Sequence, residues 1–402
     1  MRDNPGLKAD HRPIVWIDGQ RAAPKADHHR RTQRMIDIRY PIAVLIVATS
    51  LWIVYDRNRE TAGPIPSSPR PSTTVAQTDT PVPIAGPPSM PAQAIDRATQ
   101  RASALPPMAH PDDNPATPEK IALGKQLFVD PRLSGSGTMA CQGCHYRHLG
   151  WTDGKALSPK DNGDLNTRHT PSLYNVGYQT AWYWDGRATS LEGQVLAAWK
   201  AQINADPEQV ASIVQAVPGY AVQFETVFGG PATPETIVKA LAAYLRTTNS
   251  DNSPWDRHEM GEAGVVTPDA IAGQALFAGK AGCVACHAPP YYGNSTFYNI
   301  GLEHGKETPD PGRFNVTKDE ADRSAFKTPS LRSVALSAPY FHDGSAPTLE
   351  LAIRYMASGG NPDPKKSDLL VDRGLTDTEI FQIGAFLRSL TSREDWDMPE
   401  IP

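Results

Sequence analysis

All four cysteines of the chain fall in two copies of one pentad, Cys141-Gln-Gly-Cys144-His145 and Cys283-Val-Ala-Cys286-His287. Two thiols at this spacing can form thioethers with the vinyl groups of a haem, while the adjoining imidazole takes the iron from the proximal side. A structural zinc site would pair two Cys-x-x-Cys units about 15 to 20 residues apart and has no use for a histidine directly after each. A thioredoxin-type redox pair has no use for one either. The pattern therefore predicts two covalently bound c-type haems, one on Cys141, Cys144 and His145, the other on Cys283, Cys286 and His287. Covalent attachment of this kind takes place outside the cytoplasm. No cysteine remains for a disulfide framework.

What each iron does depends on its sixth position: closed by a side chain it passes electrons, open it binds peroxide or oxygen. The sequence compares the two sites itself, because it repeats. His145 and His287 lie 142 residues apart, as do Arg246 and Arg388 at the ends of two amphipathic stretches. Thr170 to Glu192 aligns without a gap to Thr328 to Glu350, with 10 identities in 23 positions. Seven residues past Leu191 and Leu349 the alignment reaches Ala198 and Met356. Methionine ligates iron and alanine does not. Between His145 and Ser253 there is no methionine, and only His148 and His169 remain as nitrogen donors that would close the first iron. Tyr355 competes with Met356 for the second, with His342 and His304 as weaker rivals. The expectation is an open first haem and a second haem closed by Met356.

These residues need elements to hold them, and the apolar spacing is helical. Each pentad follows a Gly-x-x-Leu-Phe segment, at Gly124 to Phe128 and Gly273 to Phe277. Pro234 to Thr247 carries Ile237, Leu241, Tyr244 and Leu245 at helical intervals, and Thr376 with Glu379 forms a capping box ahead of Ile380, Ile383, Phe386 and Leu387. Strand-like alternation is scarce. The expected fold is mainly α, with two tandem cytochrome c-like domains, 117–253 for the open haem and 254–402 for the electron-transfer haem. Asp206-Pro207-Glu208 reads as the start of another helix.

Ahead of these domains the composition changes. Fourteen of the 38 prolines lie between Thr61 and Pro118, so 57–116 reads as a disordered linker. The uncharged run Pro41 to Tyr55 follows Arg30, Arg31, Arg34 and Arg39. That pattern predicts a membrane segment over 40–56 with its basic flank in the cytoplasm, an anchor rather than a cleaved signal. Residues 1–39 receive no fold, and Met35 is a candidate initiator. With 39 Lys+Arg against 44 Asp+Glu the net charge is only -5, a balance that argues against a nucleic-acid binder, which would need a basic face.

Two CxxCH units, WDGR at Trp184 to Arg187 and TPSLRSVALSAPYFHDGS at Thr328 to Ser345 together resemble the bacterial diheme cytochrome c peroxidase family, which includes MauG-like enzymes. The likeness covers roughly Pro115 to Leu390. It implies two facing cytochrome c-like domains in the periplasm, here tethered to the inner membrane, with room for a homodimer. It implies reduction of hydrogen peroxide by electrons from a small cytochrome c or cupredoxin or, in the MauG branch, oxidation of a partner protein at a distance. The resemblance places peroxide at the His145 haem and electron transfer at the His287 haem. Met356 falls at the sixth-ligand position that is methionine in peroxidases and tyrosine in MauG. Trp184 matches a tryptophan between the haems, and Gln194 a distal-pocket glutamine. The family's distal glutamate falls on Gln202, and an amide cannot act as a general base. A calcium ion at the domain interface is also implied, although its usual asparagine ligand is His169 here. The rival reading from another class is a non-catalytic diheme electron carrier, with His169 closing the first iron.

Overall fold

Short capped helices joined by long loops make up the computed structural model, which describes residues 105–393 and 395–402. The expected membrane segment at 40–56 and most of the 57–116 linker lie outside the described residues. Among the described residues no helix is long and apolar enough to cross a membrane. The first half contains α1 (Pro118–Val129), α2 (Leu191–Ala201), α3 (Pro207–Gln215), α4 (Pro218–Phe228) and α5 (Pro234–Leu245). The second contains α6 (Pro254–Glu259), α7 (Pro268–Ala278), the single turn α8 (Phe314–Thr317), α9 (Leu349–Ala357) and α10 (Asp377–Ser389). Strands β1 (Phe297–Tyr298) and β2 (Phe326–Lys327) pair antiparallel, Phe297 opposite Lys327.

The helix starts follow local chemistry. Thr117, Thr233, Ser253 and Thr267 each cap a helix that opens on proline, where the missing N–H is not needed. The capping box of Thr376 and Glu379 forms as expected. Asp206 caps α3 by accepting from the N–H groups of Glu208 and Gln209, so Glu208 is a first-turn acid there.

One hydrophobic cluster gathers Leu123, Phe128, Trp151, Trp199 and Leu241, and another gathers Trp255, Phe277, Ile353, Ile383 and Phe386. At the centre of each, two helices cross closely: α1 on α5, and α7 on α10. Gly124 and Gly273 permit this, because a methyl group would collide with the Ala240 carbonyl in one crossing and the Gln382 carbonyl in the other. A Gly273→Ala substitution is expected to cost about 3 kcal/mol, read as a lowered urea midpoint by circular dichroism of the haem-loaded protein.

The sequence repeat is also a backbone repeat. Asn175 and Ser333 are both left-handed, with φ of 58° and 54°, as are Tyr183 and Phe341 at 65° and 71°. Trp182 Nε1 donates to the Val176 carbonyl and, at the matching place, the Tyr340 hydroxyl donates to the Val334 carbonyl, both at 3.1 Å. The halves meet reciprocally. The His169 N–H donates to the His342 carbonyl at 2.7 Å, and the Lys327 N–H donates to the Trp184 carbonyl at 2.7 Å. Since 169 aligns with 327 and 184 with 342, these two bonds are related by a pseudo-two-fold axis. Arg168 strengthens the seam, donating to Asp185 at 2.7 Å and to both oxygens of Asp310 at 2.7 and 2.8 Å. The C-terminal segment returns to the first half, where Trp396 Nε1 donates to the Tyr244 hydroxyl at 3.0 Å.

Candidate haem and active site

Each pentad opens with one 3-10 turn, Cys141–Gly143 and Cys283–Ala285, which brings its cysteines and histidine to one rim. The two imidazoles are anchored in the same way. His145 Nδ1 lies 2.7 Å from the Trp151 carbonyl, and His287 Nδ1 lies 2.9 Å from the Tyr292 carbonyl. A carbonyl only accepts, so Nδ1 carries the hydrogen in both rings and Nε2 keeps its lone pair for a metal. Burial lowers both imidazole pKa values, that of His145 to about 4, so neither ring must lose a proton to ligate at neutral pH. Burial raises all four thiols, Cys141 to about 12 and Cys144 and Cys283 to about 11.

A cavity of about 790 Å³ is lined by residues of both pentads. On α2 and its C-cap, Gln194, Ala198 and Gln202 all line it. Their spacing of i, i+4 and i+8 puts them in one stripe along the helix. On α9 the matching stripe is Ala352 and Met356, so the equivalent middle positions carry alanine in one half and thioether sulfur in the other. Tyr355 is turned elsewhere. Its hydroxyl donates to the Ile300 carbonyl at 3.0 Å and accepts from the Asn361 N–H at 3.3 Å. Gln202 is held as the α2 C-cap, its N–H on the Ala198 carbonyl at 2.8 Å and its own carbonyl accepting from the Asp161 N–H at 3.0 Å. Its side-chain Oε1 is buried with no hydrogen-bond partner.

The other sequence candidates are distributed unevenly. His148 and His304 are exposed. His169 is buried and lines the cavity, with Nδ1 2.7 Å from the Lys155 carbonyl. An imidazole there supplies no side-chain oxygen, the donor that calcium prefers. Trp184 also lines the cavity, its Nε1 donating to the His169 carbonyl at 2.8 Å and its ring 6.4 Å from that of His342.

Two residues escaped the sequence reading, Glu303 and Lys327, the first through its contact with the weaker ligand candidate His342. His342 stacks on Phe326 at 3.5 Å between ring centroids, and its Nε2 lies 2.8 Å from Glu303 Oε1. Lys306 joins Glu303 at 2.6 Å to Asp343 at 2.8 Å, so an ammonium already serves this acidic group. Burial pushes Glu303 up, but the hydrogen bonds from His342 and Lys306 outweigh it and hold the carboxyl below its ordinary range. The second residue is Lys327, a buried cation on the cavity wall. Its only sequence signal was alignment with His169 just before the repeated TPSL.

Two neutral imidazoles facing one mostly apolar cavity, each beside two cysteines, fit a pair of covalently held haems. The model of the family described as di-haem cytochrome c peroxidase matches residues 118–264. The methylamine utilization protein MauG of Methylorubrum extorquens is 39% identical over 298 residues, covering 73% of this chain and 84% of that protein. The chain belongs to the di-haem cytochrome c peroxidase family. The cytochrome c551 peroxidase of Nitrosomonas europaea is 35% identical over 299 residues, 72% of this chain and 85% of that one. The crystal structure of a MauG-like protein associated with microbial copper homeostasis matches with a TM-score of 0.67 at 32% identity, covering 73% of this chain and 95% of that chain. The mainly helical fold and the two c-type haems expected from the sequence are those of this family, whose members are haem oxidoreductases.

Proposed function

We propose that the chain reduces hydrogen peroxide at the haem held by Cys141, Cys144 and His145, with electrons delivered through the haem of Cys283, Cys286 and His287. The observation that carries this reading is the unequal stripe: Ala198 against Met356 on equivalent helix faces of one cavity. A haem bound over His145 supplies an exchangeable iron position and a route for the two electrons that, with two protons, convert peroxide to two waters.

The protein's own residues divide the remaining work. Trp151 and Tyr292 fix the orientation of the proximal rings through their carbonyls. Gln194 and Gln202 orient peroxide by hydrogen bonds, and an amide does no more than that, so protons come from solvent water. Trp184, held by hydrogen bonds at its indole nitrogen and its carbonyl, stands at the seam as the contact between electron entry and peroxide reduction. Met356, which lines the cavity, would close the second iron with its thioether. The donor in this proposal is a small periplasmic cytochrome c or cupredoxin, and residues 40–56 tether the 117–253 and 254–402 domains to the inner membrane.

The MauG-like alternative, peroxide-dependent oxidation of a partner protein, draws on the glutamine at 202 and on the likeness to MauG. Incubation with peroxide and candidate donors separates the two, scored by donor oxidation against partner modification. The first test is spectroscopic. The oxidised protein is expected to contain one high-spin and one low-spin iron by EPR and room-temperature absorption, and Met356→Ala is expected to make both high-spin. Two low-spin irons in the unmodified protein would leave an electron carrier as the surviving reading.

A further inference from the structure

The buried cations of the described residues are matched within the protein, with one exception. Arg332 donates to both oxygens of Asp256, Arg246 to both of Glu192, and Lys120 to Asn114 Oδ1 and the Pro115 carbonyl. Lys327 is 8% exposed and has no side-chain partner among the described residues. Burial alone lowers its pKa, to about 8. Four acids at the seam are engaged by other cations: Asp185 by Arg168 and Arg187, Asp310 by Arg168, Glu303 by Lys306 and His342, and Asp343 by Lys306.

The placement of Lys327 is imposed by its backbone. Its N–H is held by the Trp184 carbonyl at 2.7 Å, and its residue pairs with Phe297 across the two-stranded sheet. The side chain then lines the same cavity as both pentads. An ammonium removed from water and left unopposed is strongly disfavoured, so its partner must come from what fills the cavity. A haem attached through its vinyl edge would carry two propionate carboxylates on the opposite edge, the kind of anion this ammonium lacks.

The geometry points to Lys327 as the counter-charge of a haem propionate beside Trp184, a positioning residue that sets the potential of the haem it contacts. This rests on the two-haem assignment. It extends that assignment by placing one fixed positive charge at the point where the halves exchange hydrogen bonds. Removing the charge leaves the carboxylate uncompensated, which favours the oxidised iron and lowers the midpoint potential.

Spectroelectrochemical titration of the haem-loaded protein tests this, because each haem is followed by its own absorption bands. Lys327→Met is expected to lower one midpoint by at least a tenfold change in the oxidised-to-reduced ratio, about 59 mV for one electron, and Lys327→Arg is expected to restore it. The haem whose bands move identifies which propionate is paired. Neutral variants, Lys327→Met and Lys327→Gln, that retain both haems with unchanged midpoints overturn the proposal. If both neutral variants fail to take up haem while Lys327→Arg succeeds, charge pairing is supported; if all three fail alike, it is overturned. A haem count below two in the unmodified protein would count against the haem assignment instead.

Discussion

A His145→Gly protein is expected to lose peroxide turnover by at least about a thousandfold, some 4 kcal/mol of transition-state stabilisation. The expectation comes from a single imidazole whose Nδ1 is spent on the Trp151 carbonyl at 2.7 Å, which leaves Nε2 with the lone pair that would hold the iron. Cys141 and Cys144 are untouched by the change, so haem stays attached and a pyridine haemochrome assay still counts two. The absorption of the His287 haem stays as it was. Free imidazole added to the variant restores part of the activity, which separates loss of the ligand from loss of the fold. Full turnover without His145 would end the assignment of peroxide chemistry to this haem.

The Gln202→Glu exchange is expected to act in the opposite direction, accelerating peroxide cleavage by about a hundredfold. Gln202 lines the cavity from the end of α2, and its Oε1 is buried without a partner. A carboxyl of nearly the same shape would occupy that place with its pKa raised by burial. Its ionised form takes the proton from one peroxide oxygen and returns it to the other. Activity should therefore rise with pH through the carboxyl's pKa, a limb absent from the unmodified enzyme, where an amide does not titrate. Stopped-flow mixing with peroxide across pH measures both the rate and the new limb. An unchanged rate would mean that residue 202 does not face the bound peroxide. If the native activity is MauG-like, the same exchange moves the protein toward simple donor oxidation.

The haem chemistry was legible in the sequence because covalent attachment demands five consecutive residues, and nothing else fixes Cys-x-x-Cys-His so tightly. The helix crossings were legible in outline, since Gly124 and Gly273 precede Leu and Phe at the same interval in each half. The Ala198 and Met356 contrast emerged from aligning the repeat alone. The choice between Met356 and Tyr355 did not, because neighbouring helix residues point about 100° apart and only the fold decides which one meets the cavity. Glu303 and Lys327 were invisible for a related reason. The role of Glu303 depends on His342, 39 residues away. Lys327 stands out only once the fold shows it buried with no carboxylate of the described residues paired to it.

The reciprocal bonds from His169 to His342 and from Lys327 to Trp184 give the duplicated chain the geometry of two identical subunits joined face to face. In such an assembly of separate chains, any substitution changes both sites together, so neither can specialise without its twin. Joined in one polypeptide, the partners are free to diverge, and a thioether could arise on one side while the other kept a methyl group. The fused gene thus permits symmetry to be broken where chemistry profits and kept where the halves must still fit.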